Sequence, residues 1–299
     1  MNAFGSRRYE VKHATRYTYG DLVDYCYNRA YIFARETPYQ HVIAQQIQTS
    51  PPARYLHTKT DYFGNLATYI ELDGGTPALE VTSVNTVEVN RRPPDLETLS
   101  HYTLATAIRE AERQLTGIEF AEFTLPSPLV RLSSLLRHYA ESLIGADLGL
   151  PAALVELMSR IYGDFNYRQG MTSVRTTLDE VLQTKAGVCQ DFAHLAIGVL
   201  RSLQLPARYV SGYIETTPPK GKPKLQGADA THAWLSVYTP TGWLDLDPTN
   251  NQFADSRYIV TAWGRDFSDV SPLRGVVLTE SETSELSVEV NVTSLPRPK

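Results

Sequence analysis

The sequence predicts an α+β fold: an antiparallel β-sandwich at the N-terminus, then a domain in which helices precede an antiparallel sheet. Three observations lead there. Between Tyr9 and Tyr19 the odd positions carry Tyr, Val, His, Thr, Tyr and Tyr while the even ones are mostly charged or small, the period of a half-buried strand. Further on, apolar residues recur at helical spacing: Leu129, Leu132, Leu136, Tyr139, Ala140 and Leu143, then Leu154, Leu157, Met158 and Ile161. From 205 to 247 the pattern returns to strands. Strands, then helices, then strands again is the order of an α+β chain.

Taken in order, the elements have local causes. Strands at 66–72 and 79–89 follow the first, with Phe63-Gly64-Asn65 as a turn, and together they form a sandwich of about 90 residues. Arg91-Arg92-Pro93-Pro94 breaks the alternation and reads as a linker, which places the domains at 1–95 and 96–299. Ser127-Pro128 opens the first striped helix, since proline suits a helical first turn. Thr177-Leu178-Asp179-Glu180 matches a capping box and starts a short helix. His232–Tyr238 and Gly242–Asp247 read as strands around the turn Thr239-Pro240-Thr241. The alternation of Leu286-Ser287-Val288-Glu289-Val290-Asn291-Val292 marks a last strand at 285–292 with one buried face. The segment 216–227 is too rich in Pro, Gly and Lys to be core; it can flank a cleft, although plain surface connection is the commoner reason for such a composition.

The chemistry centres on Cys189. It lies where Ala186-Gly187-Val188 runs into the first turn of a small-residue-rich helix, and the partly positive N–H groups of a helix start favour a thiolate. Downstream lie an imidazole, His232, and a carboxylate, Asp247. If their strands pair as a hairpin with a loop of about four residues, one register sets His232 directly opposite Asp247. A register shifted by two leaves them diagonal on one face, and only an odd slip parts them. The hairpin thus delivers the base and the orienter that a nucleophile needs. Pro248, which cannot donate to a ladder, ends the strand just after Asp247.

These residues carry a resemblance. Gly187-Val188-Cys189-Gln190-Asp191-Phe192-Ala193-His194, Thr231-His232-Ala233-Trp234 and Asp247-Pro248-Thr249-Asn250 resemble the core of the transglutaminase-like superfamily, a branch of the papain-like thiol enzymes. Leu205–Tyr213 resembles the strand that follows the nucleophile helix in that family, and Tyr9–Tyr19 with Asp61–Asn65 is similar to the β domain preceding the core in bacterial members. The resemblance implies a papain-like transglutaminase core, catalytic residues Cys189, His232 and Asp247, and attack on peptide or glutamine-type amides in a protein or peptide substrate. It leaves the acyl acceptor open between water, giving a cysteine peptidase or amidase, and an amine, giving a transglutaminase. A non-catalytic scaffold on the same fold is the third reading.

Each residue also has a plainer explanation. A lone cysteine is most often a small buried hydrophobe, but the glycine loop and the His-Asp hairpin argue otherwise here. Cys189, His194, His232 and Asp247 are all possible zinc ligands, yet the spacing lacks a close ligand pair, and a helix turns Cys189 and His194 well apart. His194 reads instead as a packed helix residue donating a hydrogen bond. Asp245 shares a face with Asp247 and competes for the imidazole. Trp234 shares the face of His232, either shielding it or serving only as core. For an oxyanion the N–H of Cys189 is the first donor, and Gln190 and Tyr167 are candidates for the second.

Composition sets the frame. The 299 residues carry a formal net charge of −5, and the basic residues form no long run, so neither nucleic acid nor an anionic membrane is an expected partner. Met1–Arg8 lacks an apolar core and no stretch is long enough to span a bilayer, which points to the cytoplasm. Only Cys26 and Cys189 occur; a bridge between them would consume the nucleophile, so a reducing compartment fits and Cys26 is structural. No cofactor is implied.

Overall fold

The computed structural model describes residues 4–145, 148–216, 230–281 and 283–296. Two long strands organise the N-terminal part: β1 (Gly5–Ala30), then β2 (Gln40–Ser50), β3 (Tyr55–Thr60) and the second long strand, β4 (Leu66–Arg91). β1 and β4, 26 residues each, pair antiparallel along nearly their whole length, from Gly5↔Arg91 to Ala30↔Thr68. The strands expected at 66–72 and 79–89 are therefore one strand. The ladder is irregular between Thr18 and Tyr25, opposite Gly74 and Gly75, and Gly75 takes a φ of +88°, so the chain bulges there without turning back. The expected turn at Phe63-Gly64-Asn65 is present, held by the Asn65 amide donating to Asp61 Oδ1 at 2.7 Å. Alternate residues of the long strands are buried, Tyr9, Val11, Val87 and Val89 at one end and Val23, Cys26, Ile70 and Leu72 at the other.

Five helices follow: α1 (Leu96–Leu99), α2 (Leu104–Gln114), α3 (Gly117–Thr124), α4 (Ser134–Leu143) and α5 (Leu150–Asp164). α4 starts later than its apolar stripe indicates. Ser127 and Val130 exchange backbone hydrogen bonds in a tight turn, the Leu129 amide donates to Asp266, and Ser133 caps the helix by accepting from the Leu136 amide. Leu129 and Leu132 therefore precede the helix. Then come β5 (Asn166–Tyr167), α6 (Leu178–Thr184) with the expected Thr177–Glu180 capping box, β6 (Ala186–Gly187) and α7 (Cys189–Ser202). From Asp191 to Ser202 every residue of α7 is buried, the polar Asp191, His194, Arg201 and Ser202 included, so this is the central helix.

α7 packs on the second sheet, built from β7 (Ala207–Ile214), β8 (Thr231–Thr239), β9 (Gly242–Asp247), β10 (Gln252–Phe253) and β11 (Tyr258–Gly264) in the antiparallel order β10-β9-β8-β7-β11. Pro248 ends β9 as expected. Gly212, opposite His232, has no room for a side chain: a Cβ there would lie 2.0 Å from the Ile259 carbonyl oxygen. After α8 (Phe267–Val270) the chain returns to the first sheet. β12 (Leu273–Thr279) pairs with the second half of β1 and β13 (Ser284–Leu295) with the first half, completing one six-stranded antiparallel sheet. The last strand is where it was expected, with Val290 and Val292 buried. By hydrogen bonding 273–295 join the sheet of the N-terminal region, a choice the sequence had left open. Except for Thr216, the segment 216–227 lies outside the described residues.

Candidate active site

Cys189 is the first residue of α7, and the loop before it is tightly built. Asp191 turns its carboxylate back onto that loop, accepting from the Val188 amide at 2.8 Å and the Thr172 hydroxyl at 2.7 Å. Gly187 makes this possible, since a Cβ there would sit 2.8 Å from that of Asp191. The loop is further held by β5, which pairs parallel with β6 through Tyr167↔Gly187. The thiol is thereby fixed at a helix start, half-buried.

The hairpin brings the imidazole to it. Ser236 lies opposite Asp245 and Leu235 opposite Leu246, across a tight turn at Pro240-Thr241 completed by Gly242 at a φ of +105°. His232 and Asp247 are thus not directly opposite but diagonal on one face, two residues from the directly paired register. The imidazole spans the diagonal: His232 Nε2 donates to Asp247 Oδ2 at 2.7 Å. That leaves Nδ1 for Cys189, with which the ring also hydrogen-bonds. Burial works against charge on His232, but the bonds to Asp247 and Cys189 outweigh it and push its pKa up to about 10. Burial likewise disfavours charge on Asp247, yet its bonds, led by that from His232, hold it below the usual carboxylate range.

Asp247 is fully buried and accepts five hydrogen bonds: from His232, the Thr249 and Asn250 amides, Asn250 Nδ2 at 2.6 Å and Tyr258 Oη at 2.6 Å. Trp234 stacks beside His232, ring centroids 6.0 Å apart, and Tyr258 packs against both rings. Asp245, on the same face, does not reach the imidazole. It accepts from Ser236, Tyr39 and Trp234 and pairs with Arg91 at 2.8 Å. His194 is buried as expected, but its Nε2 accepts a hydrogen bond, from the Phe267 amide, where a donor role was expected. Burial lowers its pKa to about 4, and its ring lies against Tyr209, 4.9 Å between centroids. Among the described residues no three His, Cys, Asp or Glu side chains are grouped as metal ligands.

Cys189 and His232 open into a cavity of about 390 Å³ that Tyr167 and Gln190 also line, and whose far wall comes from β1 and β13. The models of two families match: the transglutaminase-like superfamily over 137–248, and the bacterial transglutaminase-like N-terminal region over 9–88. A protein of Mycobacterium tuberculosis, itself uncharacterised, is 42% identical over 297 residues, covering 96% of this chain and 93% of its own. The chain belongs to the transglutaminase-like superfamily. An uncharacterised Mycobacterium leprae relative is 31% identical over 293 residues, covering 96% of this chain and 99% of its own. A Pseudomonas aeruginosa protein-glutamine gamma-glutamyltransferase is 32% identical over 103 residues, 33% of this chain and 15% of that one. A solved structure from Cytophaga hutchinsonii, provisionally described as a cysteine protease, shares the fold, with a TM-score of 0.80, 20% identity and coverage of 98% and 92%. Among the described residues no helix is long and apolar enough to cross a membrane.

Three residues of this transglutaminase-like site were not assigned by sequence reasoning. Asn250 stood inside a recognised motif, and Asp191, three residues into the helix, carried the signal of a capping acid. Tyr258 had none: β11 reaches the site only because it pairs with β7.

Proposed function

We propose that this protein is a thiol-dependent acyl-transfer enzyme in which Cys189 is the nucleophile, His232 the general base and acid, and Asp247 the orienter. The observation that carries this reading is one chain of contacts: a helix-start thiol hydrogen-bonded to a buried imidazole whose other nitrogen is held by a fully buried carboxylate. The attacking form of a cysteine nucleophile is the thiolate. Its sulfur attacks the amide carbonyl carbon, and the oxyanion is held by the Cys189 N–H together with Gln190 or Tyr167. His232 then gives its proton to the leaving nitrogen, the C–N bond breaks and a thioester remains. In the second half His232 takes a proton from the acceptor, whose oxygen or nitrogen attacks the thioester, and the thiolate departs. Trp234 and Tyr258 keep water from the imidazole–carboxylate bond, which strengthens it.

Water is the acceptor we favour, making the enzyme a cysteine peptidase or amidase that acts on protein or peptide substrates. Transfer to an amine is the second reading, favoured by the similarity to the Pseudomonas aeruginosa gamma-glutamyltransferase. Both cysteines are unpaired, which suits a reducing compartment such as the cytoplasm. The test is incubation with glutamine- and asparagine-containing peptides, with and without a primary amine, read by ammonia release and peptide mass. Hydrolysis predicts ammonia and a one-dalton deamidation, or backbone cleavage, without amine; transamidation predicts amine-dependent adducts. An inert Cys189 thiol with no turnover of any amide would leave only a binding scaffold.

A further inference from the structure

The carboxylate that holds His232 is itself held by more than the imidazole, and those bonds have a fixed direction. Oδ2 of Asp247 accepts from three donors: His232 Nε2 at 2.7 Å, Asn250 Nδ2 at 2.6 Å and Tyr258 Oη at 2.6 Å. The phenol has one proton, and its neighbours decide where that proton goes. Asp255 grips Arg257 through both carboxylate oxygens, and Arg257 Nη2 donates to Gln252 Oε1 at 3.1 Å. A guanidinium only donates, so the Gln252 oxygen faces it and the Gln252 nitrogen turns to Tyr258, donating from Nε2 to Oη at 2.6 Å. With Oη accepting from Gln252, its own proton is left for Asp247. β10 places the amide there, because Gln252 lies directly opposite Asp247 in its pairing with β9. Tyr258 is fully buried; burial, and then the charge of Asp247, raise its pKa above the ordinary value, so it stays a donor.

Resting on the acyl-transfer reading of Cys189, we propose that Tyr258 is a positioning residue whose hydroxyl, aimed by Gln252 and Arg257, draws on the charge of Asp247 Oδ2 and so limits how tightly that oxygen holds the proton of His232. Three donors share one oxygen, and each bond leaves less of its charge for the others. The limit matters because His232 must give its proton up: an imidazolium held too firmly is a poor acid toward the leaving nitrogen. The ring and the hydroxyl of Tyr258 thus act in opposite senses, the one excluding water from the imidazole–carboxylate bond and the other loosening it. The other described titratable groups around the imidazole leave this balance alone. Cys189 bonds its second nitrogen, Asp245 is paired with Arg91, and in the shared cavity burial holds His13 neutral and Tyr17, Tyr167 and Tyr209 protonated.

The experiment uses the full-length protein labelled with nitrogen-15 histidine, without substrate, and reads the Nε2 proton of His232 by NMR at neutral pH, assigned by its loss in His232→Gln. Tyr258→Phe, which keeps the ring and removes the hydroxyl, should move that proton downfield and raise the pH at which the imidazole titrates by about half to one unit. Gln252→Ala, which leaves the phenol without its guide, should shift both in the same direction by less. A proton that stays in place in both variants, or moves upfield, overturns the proposal, because a merely structural tyrosine would leave the bond unchanged or slacken it. If Tyr258→Phe does not fold, Gln252→Ala decides alone. Turnover gives a second reading: loss of the hydroxyl should slow acylation by a glutamine peptide about threefold or more and by a p-nitrophenyl ester less than about twofold, since p-nitrophenolate leaves without a proton. Equal slowing of both substrates overturns the effect on proton donation. Iodoacetamide labelling of the wild-type thiol reads the nucleophile separately. A shifted imidazole beside an inert Cys189 sinks the acyl-transfer reading and keeps the tuning, whereas a reactive Cys189 with an unmoved imidazole sinks only the role of Tyr258.

Discussion

Cys189 and Cys26 are the same side chain in opposite surroundings. Cys26 is buried in the first sheet, where burial pushes its thiol up and Asn28 donates to it. Cys189 faces a cavity, a helix start and a protonated imidazole. Iodoacetamide should therefore label Cys189 far faster than Cys26. Equal rates, read by peptide mass, would refute the activated thiol. His232 adds a pH signature. Its folded pKa of about 10 lies above the unfolded value of about 6.5, so the stability it contributes is complete below about pH 6.5 and is lost as pH rises through 10. Asp247, held low, contributes above its unfolded value of about 3.9 and loses that contribution in acid. The urea midpoint of the wild type should fall between pH 7 and 10 more steeply than that of His232→Gln; parallel profiles would contradict the buried ion pair.

At the scale of elements, the start of α7 depends on its loop more than on the helix itself. Asp191 ties the Val188 amide and Thr172 together, and Gly187 gives way to it. Gly187→Ala should leave the protein folded, because the central helix is buried along twelve residues and keeps its packing, but it forces the Asp191 carboxylate off the loop. The alkylation rate of Cys189 should fall severalfold while the urea midpoint moves little. A variant that alkylates as fast as the wild type would show that the loop does not set the thiol. The hairpin works the same way: a two-residue register shift was tolerable because it keeps His232 and Asp247 on one face, and the ring spans the diagonal that the backbone leaves.

Over the whole molecule, adjacent carboxylates do different work. Asp247 serves the imidazole, whereas Asp245 joins the two sheets, pairing with Arg91 at the end of β4 and accepting from Tyr39. Both partners of that pair are buried, so Asp245→Asn leaves a guanidinium without its counter-charge, a loss of about 3–5 kcal/mol. Asp247→Asn should instead cost 10- to ~10⁴-fold in turnover. The two variants should separate in denaturation and kinetics: Asp245→Asn unstable with near-normal alkylation of Cys189, Asp247→Asn folded but slow. A reversal would exchange the roles assigned to the two aspartates.

Local physics wrote much of this into the sequence. The alternation at 9–19, the stripe at 154–161, the capping box at 177–180 and the glycine before Cys189 each act within a few residues, and each was legible. So were the three side chains that meet, because a nucleophile loop and a hairpin are short-range devices. The start of α4 was not legible, since an amide of its apolar stripe is taken by Asp266, far along the chain. Nor was Tyr258, placed on Asp247 by the pairing of β11 with β7, nor the return of β12 and β13 to β1, which gives the cavity its second wall. Periodicity reports which face of an element is buried. Which distant segment buries it is decided only when the whole chain has packed.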